Sequence, residues 1–242
     1  MEKKGISGST LKLIAIITMF IDHVGAAVLA RLMLGRGVSG ALYQVYAASR
    51  GIGRIAFPIF CFLLVEGFEH TRDRRQYALR LGMFALISEI PFDLAFNSRV
   101  LEFGYQNVFF TLFIGLLTIM GIRTVEEKVE WNLPLRGIFA ACIAILGMGV
   151  ASLFHTDYAA LGVMCILALY VSRKDRWVQI LAGCLAFFWW ELPALIAFLP
   201  IAFYNGKRGW NIKYFFYLFY PVHLLLLYLL CHYLGIAQIP AV

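Results

Sequence analysis

Long apolar runs recur along the whole chain and are separated by short polar clusters. A helix needs about 20 predominantly apolar residues to cross the hydrocarbon core of a bilayer. The pattern therefore predicts an all-α fold, a polytopic transmembrane helical bundle of about nine helices. The predicted spans are 9–30, 52–70, 78–97, 107–122, 137–153, 157–171, 177–190, 192–204 and 214–234.

Two of these spans, 177–190 and 192–204, are short and are separated by Glu191-Leu192-Pro193. The sequence is compatible with two short helices that form a shallow hairpin, and also with one kinked helix. A single kinked helix would leave the basic clusters before and after it on opposite sides of the membrane.

The basic residues are grouped in alternate loops, which indicates an orientation by the positive-inside rule. With the N-terminus inside and the C-terminus outside, 16 of the 21 Lys and Arg residues fall in cytoplasmic segments. We expect a multi-pass protein of the cell inner (cytoplasmic) membrane with a single domain over residues 1–242. The cytoplasmic residues are Lys3, Lys4, Lys12, Arg72, Arg74, Arg75, Arg80, Arg123, Lys128, Arg136, Arg173, Lys174, Arg176, Lys207, Arg208 and Lys213, and the exceptions are Arg31, Arg36, Arg50, Arg54 and Arg99.

Composition agrees with a chain embedded in a lipid bilayer. It is 62% hydrophobic and only 14% charged, whereas soluble proteins carry about 25% charged residues. The net charge of +7 is spread over several loops and does not form one basic stripe, so we expect no nucleic-acid partner. The five cysteines lie in apolar runs without metal-ligand spacing, and we expect no metal.

The first span carries Lys12, Asp22 and His23. Ionisable groups are costly inside a bilayer and normally face the interior of the helix bundle. Lys12 and His23 are eleven residues apart, so they share one face of the helix about 16 Å apart along its axis. A neutral buried histidine suits a general base. A structural histidine that is hydrogen-bonded within the bundle is the alternative.

Three further ionisable residues fall in the predicted outer half of the membrane. Glu89 and Asp93 lie on the third span, and Arg54 lies at the outer end of the second. We expect Asp22 or Glu89 to orient or charge-balance His23. Arg54 is placed to pair with one of the carboxylates, and Arg54 and Asp93 would organise the acceptor side of the site.

A second polar layer is predicted near the cytoplasmic face. Arginines there could bind the phosphates of a nucleotide-bearing cofactor, because guanidinium groups match phosphate geometry. The alternative is that these arginines only record membrane topology. The candidates for this layer are Glu66, Arg72, Arg74, Arg75, Tyr77 and Arg80.

Three polar residues elsewhere are candidates for binding the acceptor. Asn107 and Asp157 open helices on the predicted outer side, where either could instead be a helix cap. His223 follows Pro221 within the last span. Interrupted membrane helices often line cavities, so His223 is placed to reach one.

Several segments in sequence order resemble the TraX family, whose founding members N-acetylate F-type pilin. They cover nearly the whole chain. The segments are Lys12-Leu13, Asp22-His23-Val24-Gly25, Arg54-Ile55-Ala56-Phe57-Pro58, Glu66-Gly67-Phe68, Thr71-Arg72, Tyr77, Arg80-Leu81, Ile90-Pro91-Phe92, Gln106-Asn107-Val108, Asp157-Tyr158, Tyr204-Asn205-Gly206 and Tyr220-Pro221-Val222-His223.

This family looks like a distant branch of the transmembrane acyltransferases, in which a basic residue lies eleven positions before a catalytic histidine. The resemblance implies acetyl-CoA as acyl donor, entering from the cytoplasm. It also implies an extracytoplasmic acceptor, either a pilin N-terminal amine or an envelope glycan or lipid. His23 would then activate the acceptor, and Lys12 with the arginines at 72, 74, 75 and 80 would hold the donor.

Two other functions are compatible with buried ionisable residues. A transporter or proton-coupled channel would carry them too, although the sequence has no inverted repeat and no matching pair of broken helices. A non-catalytic pilus or envelope assembly protein is the second alternative, and it predicts tolerance of substitutions at Lys12 and His23.

Overall fold

A computed structural model of the chain describes residues 5–128, 133–210 and 213–239. Over these ranges the chain is helical, with two isolated bridges between Ile6 and Tyr204 and between Gln106 and Thr156, and it contains no β-strand. The predicted all-α class is therefore confirmed. The backbones of Lys3 and Lys4 and the side chains of Arg36, Lys128 and Lys213 lie outside what is described.

The described helical segments join into nine runs, as the apolar pattern predicts. Five runs are long and apolar enough to cross a membrane, namely Gly8–Gly35, Gly40–His70, Val108–Glu127, Leu133–Leu153 and Tyr214–Tyr233. The orientation of the termini stays a prediction. The segments are α1 (Gly8–His23), a π-helical stretch (Val24–Leu29), α2 (Ala30–Arg36), α3 (Gly40–Gly53), α4 (Ala56–His70), α5 (Arg74–Asn97), α6 (Val108–Lys128), α7 (Leu133–Leu153), α8 (Ala159–Val171), α9 (Arg176–Phe188), a 3₁₀ stretch (Leu192–Ala197), α10 (Phe198–Ala202) and α11 (Lys213–Tyr233).

Residues 189–191 are not helical, and this break decides between the two alternatives for residues 177–204. The amide N–H groups of Trp190 and Glu191 both donate to the carbonyl of Phe187. Pro193 then lies in the first turn of the 3₁₀ stretch, where its missing amide hydrogen costs no hydrogen bond. The segment is thus two short helices and not one kinked helix.

Helix α3 was not among the predicted spans, which left residues 31–51 as a connection. Its sequence is rich in small and polar residues, and the Gly and Ser residues before it resemble a loop. One of those residues begins the helix, because the Ser39 hydroxyl accepts a hydrogen bond from the amide of Leu42 at 3.2 Å. An N-cap of this kind satisfies a backbone donor that the helix leaves without a partner.

The helices fall into two compact units. Unit 1 comprises residues 1–60, 87–102 and 187–242, and unit 2 comprises residues 61–86 and 103–186. The single domain over residues 1–242 stays a prediction.

In unit 1, α1 and the π-helical stretch pack closely on α3 through small residues. A β-carbon added at Gly25 would overlap the Ser49 side chain, and one added at Gly53 would overlap Asp22. Small residues let helix backbones approach closely, which is a common way to join helices in a membrane. The close approach places the end of α1 directly against α3.

In unit 2, α6, α7 and α8 pack on one another. Glycines again set the spacing, since a β-carbon at Gly147 would overlap Thr118 and one at Gly115 would overlap Ile166. The bridge between Gln106 and Thr156 joins the start of α6 to the connection between α7 and α8. The cytoplasmic-layer candidates of the sequence belong to this unit.

Candidate functional site

The centre of unit 1 is a pair of histidines from the two ends of the chain. Nδ1 of His23 lies 2.7 Å from Nε2 of His223. The two ring planes differ by 3° and the ring centres are 5.0 Å apart, so the rings lie edge to edge as an in-plane hydrogen bond requires. His223 is 4% exposed. Its Nδ1 lies 2.7 Å from the carbonyl oxygen of Phe219.

Aromatic rings from three helices surround this histidine pair. Phe96 of α5 and Tyr220 of α11 contact His23 edge-on, with centroid distances of 5.4 and 5.7 Å. Phe219 stacks on His223 at 4.7 Å, and Phe20 of α1 approaches His223 at 6.0 Å. The pair is thus flanked by aromatic rings on several sides.

His23 is also the last residue of α1, and the π-helical stretch Val24–Leu29 follows it directly. π-helical turns are rare and occur frequently at functional sites. The apolar pattern of the first span continues through this stretch without a break. For that reason the sequence alone did not reveal the change of helix type.

Asp22 and His23 face different neighbours, because successive residues of a helix point about 100° apart. Asp22 points to α3, where its Oδ2 lies 2.6 Å from Nη1 of Arg50. Gly53 makes room for the carboxylate. We expected Asp22 or Glu89 to orient His23, whereas the structure shows a second imidazole in contact with it. Glu89 is buried in α5.

Arg54 follows α3 and lies one helical turn after Arg50. Its Nε lies 3.5 Å from the carboxylate of Glu191, a residue that the sequence analysis treated only as part of a turn. Asp93 is fully buried and accepts a hydrogen bond from the amide N–H of Glu102 at 2.8 Å. The acceptor-side candidates of unit 1 are therefore held in place by other polar groups of the same unit.

Lys12 and His23 contact the same partner helix, as their predicted common face requires. The ammonium group of Lys12 lies 5.4 Å from the centre of the Phe216 ring, and His23 contacts His223 seven residues further along α11. Helices α1 and α11 pack together in unit 1. The predicted alignment of these two residues on α1 is confirmed.

In unit 2, arginines and glutamates alternate in an arginine–glutamate cluster. Arg173 bridges Glu69 at 3.2 Å and Glu126 at 2.9 Å. Arg123 reaches the same two glutamates and Glu127. Three arginines and three glutamates are joined, and the separate pair Arg176–Glu66 adds one of each, so the cluster is neutral as a whole. Its members are Arg74, Arg123, Arg173, Arg176, Glu66, Glu69, Glu126 and Glu127.

This cluster accounts for two of the predicted donor-binding residues. Arg74 pairs with Glu127 at 3.2 Å and lies over the Phe68 ring at 4.8 Å. Glu66 pairs with Arg176 at 3.6 Å. From the sequence, the arginines were expected to bind phosphates, and their pairing with the glutamates of α6 was not predicted.

Three arginines of the predicted donor layer differ from Arg74. Arg72 and Arg75 are exposed. The Nε atom of Arg80 is buried, and within the described part of the chain it has no hydrogen-bond partner. Tyr77 packs against Gly67, where an added β-carbon would lie 3.1 Å from its hydroxyl. The positive charge of Arg72, Arg75 and Arg80 suits an anionic ligand.

Asn107 and Asp157 belong to unit 2, whereas the other acceptor-side candidates belong to unit 1. Asn107 is fully buried, its Oδ1 accepts from the amide of Phe109, and its Nδ2 donates to the carbonyl of Ala85. It is a helix cap, one of the two alternatives that the sequence allowed. Asp157 accepts a hydrogen bond from the Tyr105 hydroxyl at 2.7 Å.

Arg31 is a buried cation that the sequence analysis recorded only as an exception to the positive-inside rule. Its guanidinium donates to the carbonyls of Ala27, Ala95 and Ile239 and to the Ser98 hydroxyl. The signal in the sequence was the charge itself, because an arginine within an apolar run needs an interior partner.

The arrangement in unit 1 can accept, hold and return a proton. Imidazole is the side chain best suited to that exchange near neutral pH, and aromatic rings cover part of both imidazoles. The surrounding aromatic rings favour an uncharged resting pair, since a charge is expensive inside a bilayer, and the nearby Arg50 cation disfavours a further positive charge on His23.

Comparison with known proteins adds an independent line of evidence. The family model described as TraX protein matches residues 7–231. The probable fimbrial assembly protein FimC, serogroup H1, of Dichelobacter nodosus is 35% identical over 251 residues, covering 91% of this chain and 94% of that protein. An uncharacterized protein of Rickettsia prowazekii (strain Madrid E) is 22% identical over 171 residues, covering 67% of this chain and 61% of that protein. No solved structure matches the chain. The match over nearly its whole length shows that this membrane protein belongs to the TraX family.

Proposed function

We propose that the protein transfers an acetyl group from acetyl-CoA to an extracytoplasmic acceptor, with His23 as general base, in the cytoplasmic membrane. The observation that carries this proposal is the hydrogen bond of 2.7 Å between His23 and His223 within a shell of aromatic rings. Such a pair supplies a proton acceptor where other polar groups are costly.

In this proposal the acceptor's nucleophilic atom attacks the thioester carbonyl carbon of acetyl-CoA. Its proton passes to His23, the carbon–sulfur bond breaks, and the CoA thiolate leaves. His23 then returns the proton to that thiolate. The products are the acetylated acceptor and CoA thiol, and His23 is restored.

Positive charge supports binding of the acyl donor, acetyl-CoA. Acetyl-CoA carries phosphates, and Arg72 and Arg75 are exposed cations. The buried Nε of Arg80 offers a further hydrogen-bond donor for a phosphate oxygen. Arg74 is already paired with Glu127, so it contributes less to binding of the donor than its neighbours do. Lys12 and Tyr77 complete the proposed donor set.

The proposed acceptor is a pilin N-terminal amine, with a hydroxyl of an envelope glycan or lipid as the other acceptor class. The name of the Dichelobacter nodosus relative, a fimbrial assembly protein, favours the pilin. The pairs Arg50–Asp22 and Arg54–Glu191 and the buried Asp93 would shape the acceptor side. Asp157 and Glu89 are secondary candidates.

The test uses the full-length protein in liposomes with radiolabelled acetyl-CoA and a synthetic peptide that has a free N-terminal amine. We expect label on the peptide, and none on the same peptide with an acetylated N-terminus. His23→Gln should lower kcat about 10²–10⁴-fold, the usual contribution of a general base. Binding of CoA, measured by calorimetric titration, should be unchanged.

His232→Gln is the matched control, because His232 is an exposed histidine on the same helix as His223. It should transfer acetyl groups at the wild-type rate. Transfer that survives His23→Gln would overturn the proposal. Passage of solutes across the liposome membrane without acetyl-CoA would instead support the transporter alternative.

A non-catalytic assembly role is the second candidate, and the printed name of the same relative favours it. It predicts that the wild-type protein transfers no label and that His23→Gln leaves pilus assembly intact in cells. Pili that are lost only when His23 is replaced, while the protein level is unchanged, would exclude it.

A further inference from the structure

The hydrogen bonds of the histidine pair fix where each proton lies. The carbonyl oxygen of Phe219 carries no hydrogen, so Nδ1 of His223 must donate to it across the 2.7 Å contact. In a neutral His223 the other ring nitrogen, Nε2, is then an acceptor. That nitrogen lies 2.7 Å from Nδ1 of His23, so Nδ1 of His23 must be the donor.

We infer that His223 is a positioning residue that holds His23 as the Nδ1–H tautomer and leaves Nε2 of His23 as the proton-accepting atom. This inference rests on the proposed function of His23 as general base. From the sequence, His223 was a candidate for binding the acceptor, whereas the inferred role acts through His23.

The opposite proton arrangement would disable the base. If His223 were an imidazolium, its Nε2–H would donate to His23, whose own Nε2 would then carry the remaining hydrogen. That state places a charge among the rings of Phe20, Phe96, Phe219 and Tyr220. Charge burial in a bilayer is costly, so the neutral chain from His23 through His223 to the Phe219 carbonyl is favoured.

The same chain stabilises the protonated base during the reaction. Once Nε2 of His23 has taken the acceptor's proton, the ring is cationic and its Nδ1–H donates more strongly to His223. His223 passes part of this polarisation to the Phe219 carbonyl, because hydrogen bonds in a chain strengthen one another. A carboxylate usually orients a catalytic histidine. Here an uncharged imidazole does so, and no unpaired charge needs to be buried at rest.

The backbone of α11 provides the geometry for this role. Phe219 precedes His223 by one helical turn, so its carbonyl points along the helix towards the His223 ring. The Phe219 ring also stacks on His223, which limits rotation of the imidazole.

The first test is spectroscopic and needs no activity. The protein is labelled with ¹⁵N-histidine in lipid nanodiscs, and signals of the His23 and His223 rings are assigned by comparison with His23→Gln and His223→Gln. We expect both rings to show a protonated Nδ1 and an unprotonated Nε2. A protonated Nε2 on His23 would overturn the inference, even if no variant of His223 can be purified.

The second test separates positioning from packing. In His223→Gln the amide oxygen can still accept the Nδ1–H of His23, and kcat should stay within about tenfold of wild type. His223→Phe fills the space without an acceptor, and kcat should fall about 10²-fold or more, because loss of the correct tautomer costs up to about 10⁴-fold in the Ser–His–Asp triad. The KM for acetyl-CoA should not change in either variant.

The two proposals fail in different ways. A wild-type rate in His223→Phe, together with a loss in His23→Gln, would overturn the positioning role and leave the general base intact. A wild-type rate in His23→Gln would overturn the proposed function itself. His232→Gln should match the wild type in both measurements, since this residue is exposed on the same helix.

Discussion

The histidine pair of unit 1 and the arginine–glutamate cluster of unit 2 handle polar groups in opposite ways. In the cluster, four arginines meet four glutamates, and several side chains make more than one ion pair. In the pair, two imidazoles and one carbonyl form a single uncharged line of hydrogen bonds. The charged groups of the cluster pair with one another, whereas Nε2 of His23 is left to accept a proton.

Under the proposed function, the difference assigns the proton transfer to the histidine pair and a structural role to the cluster. A group that is satisfied by fixed partners has no capacity left for a substrate. Every member of the cluster is matched by opposite charge within the unit, so it suits the joining of helix ends. The histidine pair leaves Nε2 of His23 without a role in the chain of hydrogen bonds, and a catalytic base needs such an atom.

Arg31 offers the largest test of this distinction, because its guanidinium is fully buried and is satisfied by carbonyls and a hydroxyl. Arg31→Met should lower the free energy of unfolding by about 3 kcal/mol, since buried acceptors lose their donor. Denaturant titration of the protein in detergent measures the change. Arg99→Met, at an ion pair whose arginine side chain is 70% exposed, should change the free energy by less than about 0.5 kcal/mol. Equal effects would contradict the structure of unit 1.

Gly53 tests the packing that places Asp22 beside Arg50. Gly53→Ala should lower the free energy of unfolding by about 1–3 kcal/mol, because its new methyl group would overlap the Asp22 side chain. Gly51→Ala is the control in the same helix. An added β-carbon there has no described atom within 4 Å, and the substitution should stabilise the helix by about 0.5–1 kcal/mol. Both changes are read from thermal unfolding in nanodiscs. A Gly53→Ala protein as stable as Gly51→Ala would refute the close approach of α1 and α3.

Arg173 tests whether the cluster is purely structural. Arg173→Met should lower the free energy of unfolding by about 1 kcal/mol, because the partners Glu69 and Glu126 are 28% and 42% exposed and water screens the pairs. The rate of acetyl transfer per folded molecule should be unchanged. Lys174→Met, at an exposed neighbouring cation, should alter neither quantity. A selective fall in the acetyl-transfer rate of Arg173→Met would assign the cluster a part in the reaction.

The sequence was sufficient to predict the helical class, the number of helical runs and the shared face of Lys12 and His23. Apolar length and helical periodicity are local properties, and they survive without knowledge of tertiary contacts. Helix α3 was not predicted, because Gly and Ser residues suggest a loop when the sequence is read alone. In the structure Gly53 packs against α1 and Ser49 packs against the π-helical stretch.

Pairings between distant residues were the part that the sequence could not supply. His23 and His223 are separated by 200 positions, and the local sequence around either histidine does not predict contact with the other. The same holds for Arg54 and Glu191, and for Arg173 and Glu69. Charged residues could be recognised as needing partners, but the choice of partner is made by helix packing.

The most direct test of the account compares single-turnover acetyl transfer by His23→Gln and Arg173→Met at saturating acetyl-CoA, in the same lipid and at equal amounts of folded protein. We predict that His23→Gln slows transfer about 10²–10⁴-fold, while Arg173→Met stays at the wild-type rate. Equal rates for the two variants, or a larger loss for Arg173→Met, would contradict the claim that the histidine pair carries the chemistry.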